Sequence, residues 1–398
     1  MSLGNTLRRI GFNGLVAASL LLSTTAPALA QTGSTPRPER AIPQTVLDNK
    51  LDQPVTEEGV AKLSPALRGL TGRVEVVVRL TSAPTTVAAA LGAAGVEQQA
   101  RSLSVTSQQD TVLDFARGLD ANVQVLGRTR VVLNAVMLSI DAAALPGLAA
   151  HGAVATIRQV ANYTTDTAEN AAEALSAVME TVPYIGARPE VQAAANGGAG
   201  VKVAVLDSGI DYTHVAFGGA GTLAAYHAAY GTATTDPKNT TRDGLFPTAR
   251  VVEGYDFVGE VWPNGPLAPD EDPIDCGNDA ITDFCDGGHG THVADIIGGA
   301  GGVAPNVDLY AVRVCSAVAT SCSGVAMIQG LEYAADPNGD GNTSDHVDIV
   351  NMSLGQSFGQ AYEDDSSLAA NNLADVGVLV VASAGNSADR PYIVGTPS

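Results

Sequence analysis

The phrase GGHGTH sets His289 and His292 three residues apart in a chain of 398 residues with only six histidines. An imidazole either passes a proton near neutral pH or ligates a metal, and the two uses need different company. A helical hydrolytic zinc site needs the pattern HExxH, but no glutamate follows His289 and no third ligand is evident. Proton transfer instead needs a carboxylate that fixes the imidazole tautomer by accepting from its other nitrogen. Asp207, in VLDSGID, is such a carboxylate, and Gly209 permits a sharp turn after it. Asn386, in ASAGNS, offers an amide that can donate to a developing oxyanion. Taken singly, Asp207 is equally a helix cap, Asn386 a turn residue and the histidine pair structural. His292 is read as structural.

These residues lie where a particular kind of sheet would place them. VKVAVLDSG, DLYAVRV, VDIVNMSLG and VLVVASAGN are apolar on both faces, which is the pattern of buried parallel strands. Helical stretches at Thr291–Gly298, Val325–Ala335 and Ser366–Val376 separate them. The expected fold is α/β, a doubly wound, mostly parallel sheet, with chemistry at the carboxyl ends of the strands, where Asp207, Ser353 and Asn386 fall. Upstream, VEVVVRL (Val74–Leu80) predicts a strand and Val96–Leu119 a helix, with Leu103, Val112, Leu113 and Ala116 on its apolar side. The stretch Val123–Asp141 reads as a strand pair, AAALPGLAAHG as a short helix and Val154–Val160 as a last strand. That β-α-β-β-α-β order is ferredoxin-like and α+β, and assigns residues 64–162 to a separate domain.

The first thirty residues carry Arg8 and Arg9, the apolar run Leu15–Leu22, and Ala28-Leu29-Ala30, the three parts of an export signal. Residues 31–63, rich in Pro, Thr and Gln, read as a linker. Export predicts a secreted protein without a membrane span after signal removal, since no later segment has the length of apolar sequence a span needs. The 42 acidic against 21 basic residues, a net charge of −21, argue against a nucleic-acid partner. In an oxidising compartment four cysteines suggest disulfides. Cys276 with Cys285 and Cys315 with Cys322 is the expected pairing because each pair brackets a short polar loop; a four-thiolate zinc site is the alternative.

VLDSGID, GHGTHVA, VNMSLG and ASAGN, in that order on a parallel framework, resemble the subtilisin-like serine proteases, the subtilases, from about Ala177 onward. The upstream domain resembles the subtilase propeptide. The resemblance implies an endopeptidase in which Asp207 orients the imidazole, His289 acts as base and then acid, and Asn386 donates to the oxyanion. This family's Asp, His, Ser order is an established pattern of the convergent triad. Ser353-Leu354-Gly355 would pair with substrate backbone, Ser323-Gly324 would form the opposing strip, and Ala384 and Gly385 would line a side-chain pocket. The partners implied are peptides or proteins as substrates and the chain's own propeptide as intramolecular inhibitor, with a maturation region over residues 163–199 and the catalytic domain over 200–398.

One departure from the family pattern matters. The family's nucleophile lies in a G-T-S-M-A phrase opening a helix, and the closing GTPS is not that phrase, so the serine is expected beyond Ser398 and the chain as given is expected to be inactive. The competing expectation is a nucleophile-free protein that holds peptides or calcium. DPNGDGNTSD matches the first half of a calcium loop, with Asp336, Asn338, Asp340 and Asp345 as candidate ligands and Gly341 at the turn, although Val347 stands where the bidentate glutamate belongs. No organic cofactor is implied.

Overall fold

The computed structural model describes residues 62–165, 181–276, 285, 287–357, 359, 364–386 and 394–397. The expected signal and nearly all of the linker lie outside these residues. A Val-rich run makes β1 (Arg73–Leu80), followed by the helices α1 (Thr85–Ala90) and α2 (Gly95–Leu119). Then come β2 (Gln124–Thr129), β3 (Ala135–Asp141), α3 (Leu145–Ala149) and β4 (Val154–Gln159). The four strands form one antiparallel sheet in the order β2-β3-β1-β4. Alternation along β1 sends Val76 and Val78 to a core with Val112, Leu113 and Ala116 of α2, and sends Val77 to the opposite face.

The period expected for α2 is present, but its buried stripe is displaced. Gln98, Ser102, Val105, Gln109, Val112, Leu113 and Ala116 are buried, whereas Leu103 is 73% exposed. The polar members of that stripe are satisfied rather than exposed, which is the condition for burying them. Gln109 Nε2 donates to the Thr129 carbonyl at 2.7 Å, and Gln98 Oε1 accepts from the Thr343 amide at 3.0 Å.

After β5 (Tyr163–Thr165) and α4 (Pro189–Ala194) the chain enters an α/β layer. Its strands are β6 (Lys202–Asp207), β7 (Val251–Asp256), β8 (Asp308–Arg313), β10 (Ile349–Met352) and β12 (Leu379–Ala382), all parallel, in the order β12-β10-β6-β8-β7. β7 was not anticipated, because Glu253 and Gly254 interrupt its apolar run. Its helices are α5 (Leu223–Ala229), α6 (His289–Gly298), α7 (Gly324–Ala335) and α8 (Asp365–Asp375). The last three overlap the expected helical stretches to within two residues at each end. Two short strands, β9 (Ser321–Cys322) and β11 (Leu354–Gly355), complete the set.

The second face of the antiparallel sheet rests on α7 and α8: Val77 and Met137 share a core with Ile328, Leu331 and Leu373. The polar contacts across this seam are specific. Glu332 of α7 accepts from three successive amides, Arg130 (2.7 Å), Val131 (2.8 Å) and Val132 (2.8 Å). Asp365 of α8 pairs with Arg158 at 3.2 Å and Arg79 at 3.5 Å. Asn372 donates to the Val132 carbonyl at 2.8 Å.

Candidate active site

Asp207 ends β6 and is fully buried. Its backbone carbonyl accepts from the amides of Val314 (2.8 Å) and Cys315 (3.1 Å), so the exit of β8 clamps it. One carboxylate oxygen, Oδ1, lies 2.8 Å from His289 Nδ1 and accepts from the Ser208 amide at 2.7 Å. A carboxylate acceptor makes Nδ1 the protonated nitrogen and leaves Nε2 as the basic one. The imidazole is 18% exposed, so it is reachable from solvent while its partner is not.

His289 opens α6, and the approach of this helix to β6 depends on glycine. A Cβ on Gly290 would lie 2.3 Å from the Gly209 carbonyl oxygen and 3.0 Å from Asp207 Cβ. Gly209 itself has φ +103°, a conformation open to glycine. Two side chains not singled out in the sequence pin the helix start. Asp275 accepts from the Gly288 amide (3.0 Å), the Thr291 amide (3.1 Å) and the Thr291 hydroxyl (2.6 Å). Ser208 Oγ accepts from the Gly290 amide at 2.9 Å. The available signal was the DPID phrase shortly before GGHGTH. His292 lies one turn on, with its Nε2 buried and, among the described residues, without a hydrogen bond.

Behind Asp207 the sheet holds a buried charge network. Arg313, the β8 residue in register with Asp207, is fully buried; it contacts Glu260 and lies 3.1 Å from Asp256. Tyr230 donates to Glu260 at 2.6 Å. Burial works against the guanidinium charge, but Asp256 and Glu260 outweigh it and hold Arg313 well above its ordinary pKa. Burial likewise pushes Asp256 up to about 6 against the opposing pull of Arg313. Asp270 is pushed up to about 8 by burial and then by the Asp256 charge. Burial lifts Asp272 to about 7 against the hydrogen bond from Tyr212, and Asp275 to about 6 against its bonds from Gly288 and Thr291.

The chain's own β5 lies between β9 and β11, and β9 is tied through the Cys315–Cys322 bond to a residue whose amide holds the Asp207 carbonyl. β5 is the middle strand of a three-stranded antiparallel sheet, β11-β5-β9: Thr165 and Thr164 pair with Leu354 and Gly355, and Tyr163 and Thr164 with Cys322 and Ser321. On this side β5 therefore pairs with Ser321–Cys322, the two residues before Ser323-Gly324. Ser323 is used as the N-cap of α7, accepting from the Ala326 amide, and so leaves the strand. Gly324 instead donates to Asn162 Oδ1 at 3.1 Å and lies so close to the Ala161 carbonyl that a Cβ would sit 1.9 Å from it. Ser353 follows β10, and Ala384, Gly385 and Asn386 follow β12 as exposed residues. Parallel pairing brings these positions and Asp207 to one edge of the sheet.

Cys276 is bonded to Cys285 and Cys315 to Cys322, the latter tying the exit of β8 to β9. In the 336–345 loop the candidate oxygens are turned to backbone amides. Asp336 accepts from Asp340 and Gly341, Asn338 from Asp340, Asp340 from Asn342, and Asp345 from Asn338. Among the described residues no group of three or more His, Cys, Asp or Glu is placed to hold a metal ion. No helix among them is long and apolar enough to cross a membrane.

The profile of the Subtilase family matches residues 198–398. Alkaline elastase YaB of Bacillus sp. (strain YaB) is 36% identical over 219 residues, 52% of this chain and 41% of that protein. Minor extracellular protease Vpr of Bacillus subtilis (strain 168) is 28% identical over 277 residues, 67% of this chain and 28% of that protein. Fervidolysin from Fervidobacterium pennivorans, a keratinolytic enzyme related to subtilisin, superposes with a TM-score of 0.46 at 15% identity, over 82% of this chain and 42% of its own. The chain spans less than half the length of each of these three.

Proposed function

The chain belongs to the subtilase family, and from that premise we propose that it is a secreted serine endopeptidase carrying its own propeptide. The observation that carries the proposal is the 2.8 Å contact between His289 Nδ1 and Asp207 Oδ1, in a chain that also holds an extended strand between β9 and β11. In this reading Asp207 fixes the tautomer and stabilises the imidazolium. His289 Nε2 takes the proton of a serine hydroxyl as it attacks the scissile carbonyl, then delivers that proton to the leaving amine. Asn386 donates to the tetrahedral oxyanion, Ser353-Leu354-Gly355 and Ser321–Cys322 align the substrate backbone, and Ala384 and Gly385 leave room for a side chain.

Residues 64–162 are then the propeptide, and the strand order β2-β3-β1-β4 with its interleaved helices supports a ferredoxin-like assignment. Its seat on α7 and α8, with β5 between β9 and β11, supports a role as intramolecular inhibitor, and residues 163–199 are read as the maturation region. The test is a fluorophosphonate probe applied to the protein expressed from its complete reading frame. Labelling that disappears in His289→Ala is the expected result. Labelling that persists in that variant removes His289 from its role, and no labelling of the parent protein favours the nucleophile-free peptide binder. Calcium on the Asp336–Asp345 loop is a separate proposal, since it requires those oxygens to release the loop amides; a melting temperature indifferent to chelator would end it.

A further inference from the structure

We propose that the cleft between β9 and β11 contains a tyrosine subsite in which Asp364 and Ser366 read the phenol hydroxyl. Extended peptides with tyrosine at the place of Tyr163 are then selected over those with phenylalanine. The inference deepens the peptide-cleft reading above and rests on it.

Within the short strand β5, Thr164 and Thr165 retain exposure while Tyr163 is 2% exposed. It lines a cavity of about 380 Å³ together with Gly324, Ile328, Asp364 and Ser366. The hydroxyl donates to Asp364 Oδ1 at 2.8 Å and lies 2.9 Å from Ser366 Oγ. A phenol has one proton; with that proton on the carboxylate, the Ser366 hydroxyl is the donor to the phenol oxygen. Asp364 is the N-cap of α8, which holds its orientation whether or not a peptide is present. Its Oδ2 is taken by the Ser367 amide (3.1 Å) and hydroxyl (2.8 Å), while among the described residues Oδ1 otherwise receives only a long 3.3 Å bond from the Ser366 amide. That oxygen has capacity for one strong donor. Burial, followed by the Asp364 charge, raises the phenol pKa well above its ordinary value, so the hydroxyl remains a donor across the physiological range. A phenylalanine would fill the same volume yet leave both polar groups short of a partner, which is how a site built around a hydroxyl rejects the analogue lacking it.

The first test uses the 398-residue chain and needs no catalysis. Amide exchange at Thr165, which donates to the Thr320 carbonyl at 3.0 Å, reports docking of β5, and the Val76–Val78 amides serve as a reference for global opening. Tyr163→Phe is expected to accelerate exchange at Thr165 about tenfold with the reference unchanged, and Ser366→Ala to give a smaller acceleration in the same direction. Equal protection in the wild type and Tyr163→Phe would mean that the ring is mere filling, and would overturn the proposal. The second test measures kcat/KM for two peptides differing only by Tyr or Phe at this position, using protein from the complete reading frame. A tyrosine preference of about tenfold that vanishes in Asp364→Ala is expected. A preference that survives in Asp364→Ala refutes the assignment of this carboxylate. Hydrolysis of neither peptide refutes the peptidase reading, and the exchange result then decides the pocket by itself.

Discussion

Arg313→Met removes the cation at the centre of the buried network behind Asp207 while keeping a side chain of comparable length. The guanidinium is fully buried and faces Asp256 at 3.1 Å together with Glu260. Leaving two such carboxylates without their partner costs about 3 to 5 kcal/mol in comparable buried pairs. The cost must depend on pH, and its sign follows from the folded-state values. Asp256 near 6, Asp272 near 7 and Asp270 near 8 all lie above the ordinary 3.8. The folded chain therefore takes up protons before the unfolded chain as pH falls, so stability rises from about pH 8 toward pH 4. In the variant, protonation of Asp256 neutralises what Arg313 no longer balances. The expected deficit is the full amount at pH 8 and about 1 to 2 kcal/mol at pH 5. Urea unfolding of both proteins at the two pH values measures it. An equal deficit at pH 5 and pH 8, or one under about 1 kcal/mol at pH 8, would refute the assignment of Arg313 as the counter-charge of this network.

Three further outcomes are expected. Gly290→Ala forces a Cβ to within 2.3 Å of the Gly209 carbonyl and pushes α6 off β6; it should lower stability by about 1 to 3 kcal/mol and abolish fluorophosphonate labelling even with His289 and Asp207 intact. Asp275→Asn turns an amide N–H toward the donors of Gly288 or Thr291; we expect a loss of about 1 to 3 kcal/mol by thermal unfolding, and a labelling rate reduced more than substrate binding, because His289 is released from its orientation. The double replacement Cys315→Ser, Cys322→Ser opens a short loop of sequence separation 7, with an expected cost of about 2 kcal/mol by chain-entropy arithmetic, read as a lower melting temperature under non-reducing conditions.

The sheet was legible in the sequence because a parallel strand buried on both faces shows as an unbroken apolar run, and VKVAVLD and VDIVNM are such runs. The same logic failed at β7, where Glu253 and Gly254 break the pattern: Gly254 lies against the Ala311 backbone, closer than any side chain allows. In α2 the helical period was readable but its buried face was not, because Gln98 and Gln109 are buried only by virtue of acceptors and donors far along the chain. The Asp207 and His289 positions were visible as motif residues. Asp275, Ser208 and Asp364 were not, since their meaning lies in which amides and hydroxyls they face and no spacing rule encodes that. The cap role of Ser323 was missed for a related reason: a serine ahead of an apolar helix can accept from its first amides, and the sequence reading did not weigh that.

The position of β5 as a middle strand also says what shape of polypeptide this cleft admits. Two edges separated by one intervening strand stand roughly 9.5 Å apart, twice the spacing of neighbouring strands. A helix, about 10 to 12 Å across with its side chains, does not fit that slot, and its amides are already spent on its own carbonyls. Only a stretch of chain free to lie straight, with unspent amides and carbonyls along it, can bridge β9 and β11. Under the peptidase reading proposed above, a well-folded globular protein would be protected by its own secondary structure, and local melting of the target would set the rate at which it is cut.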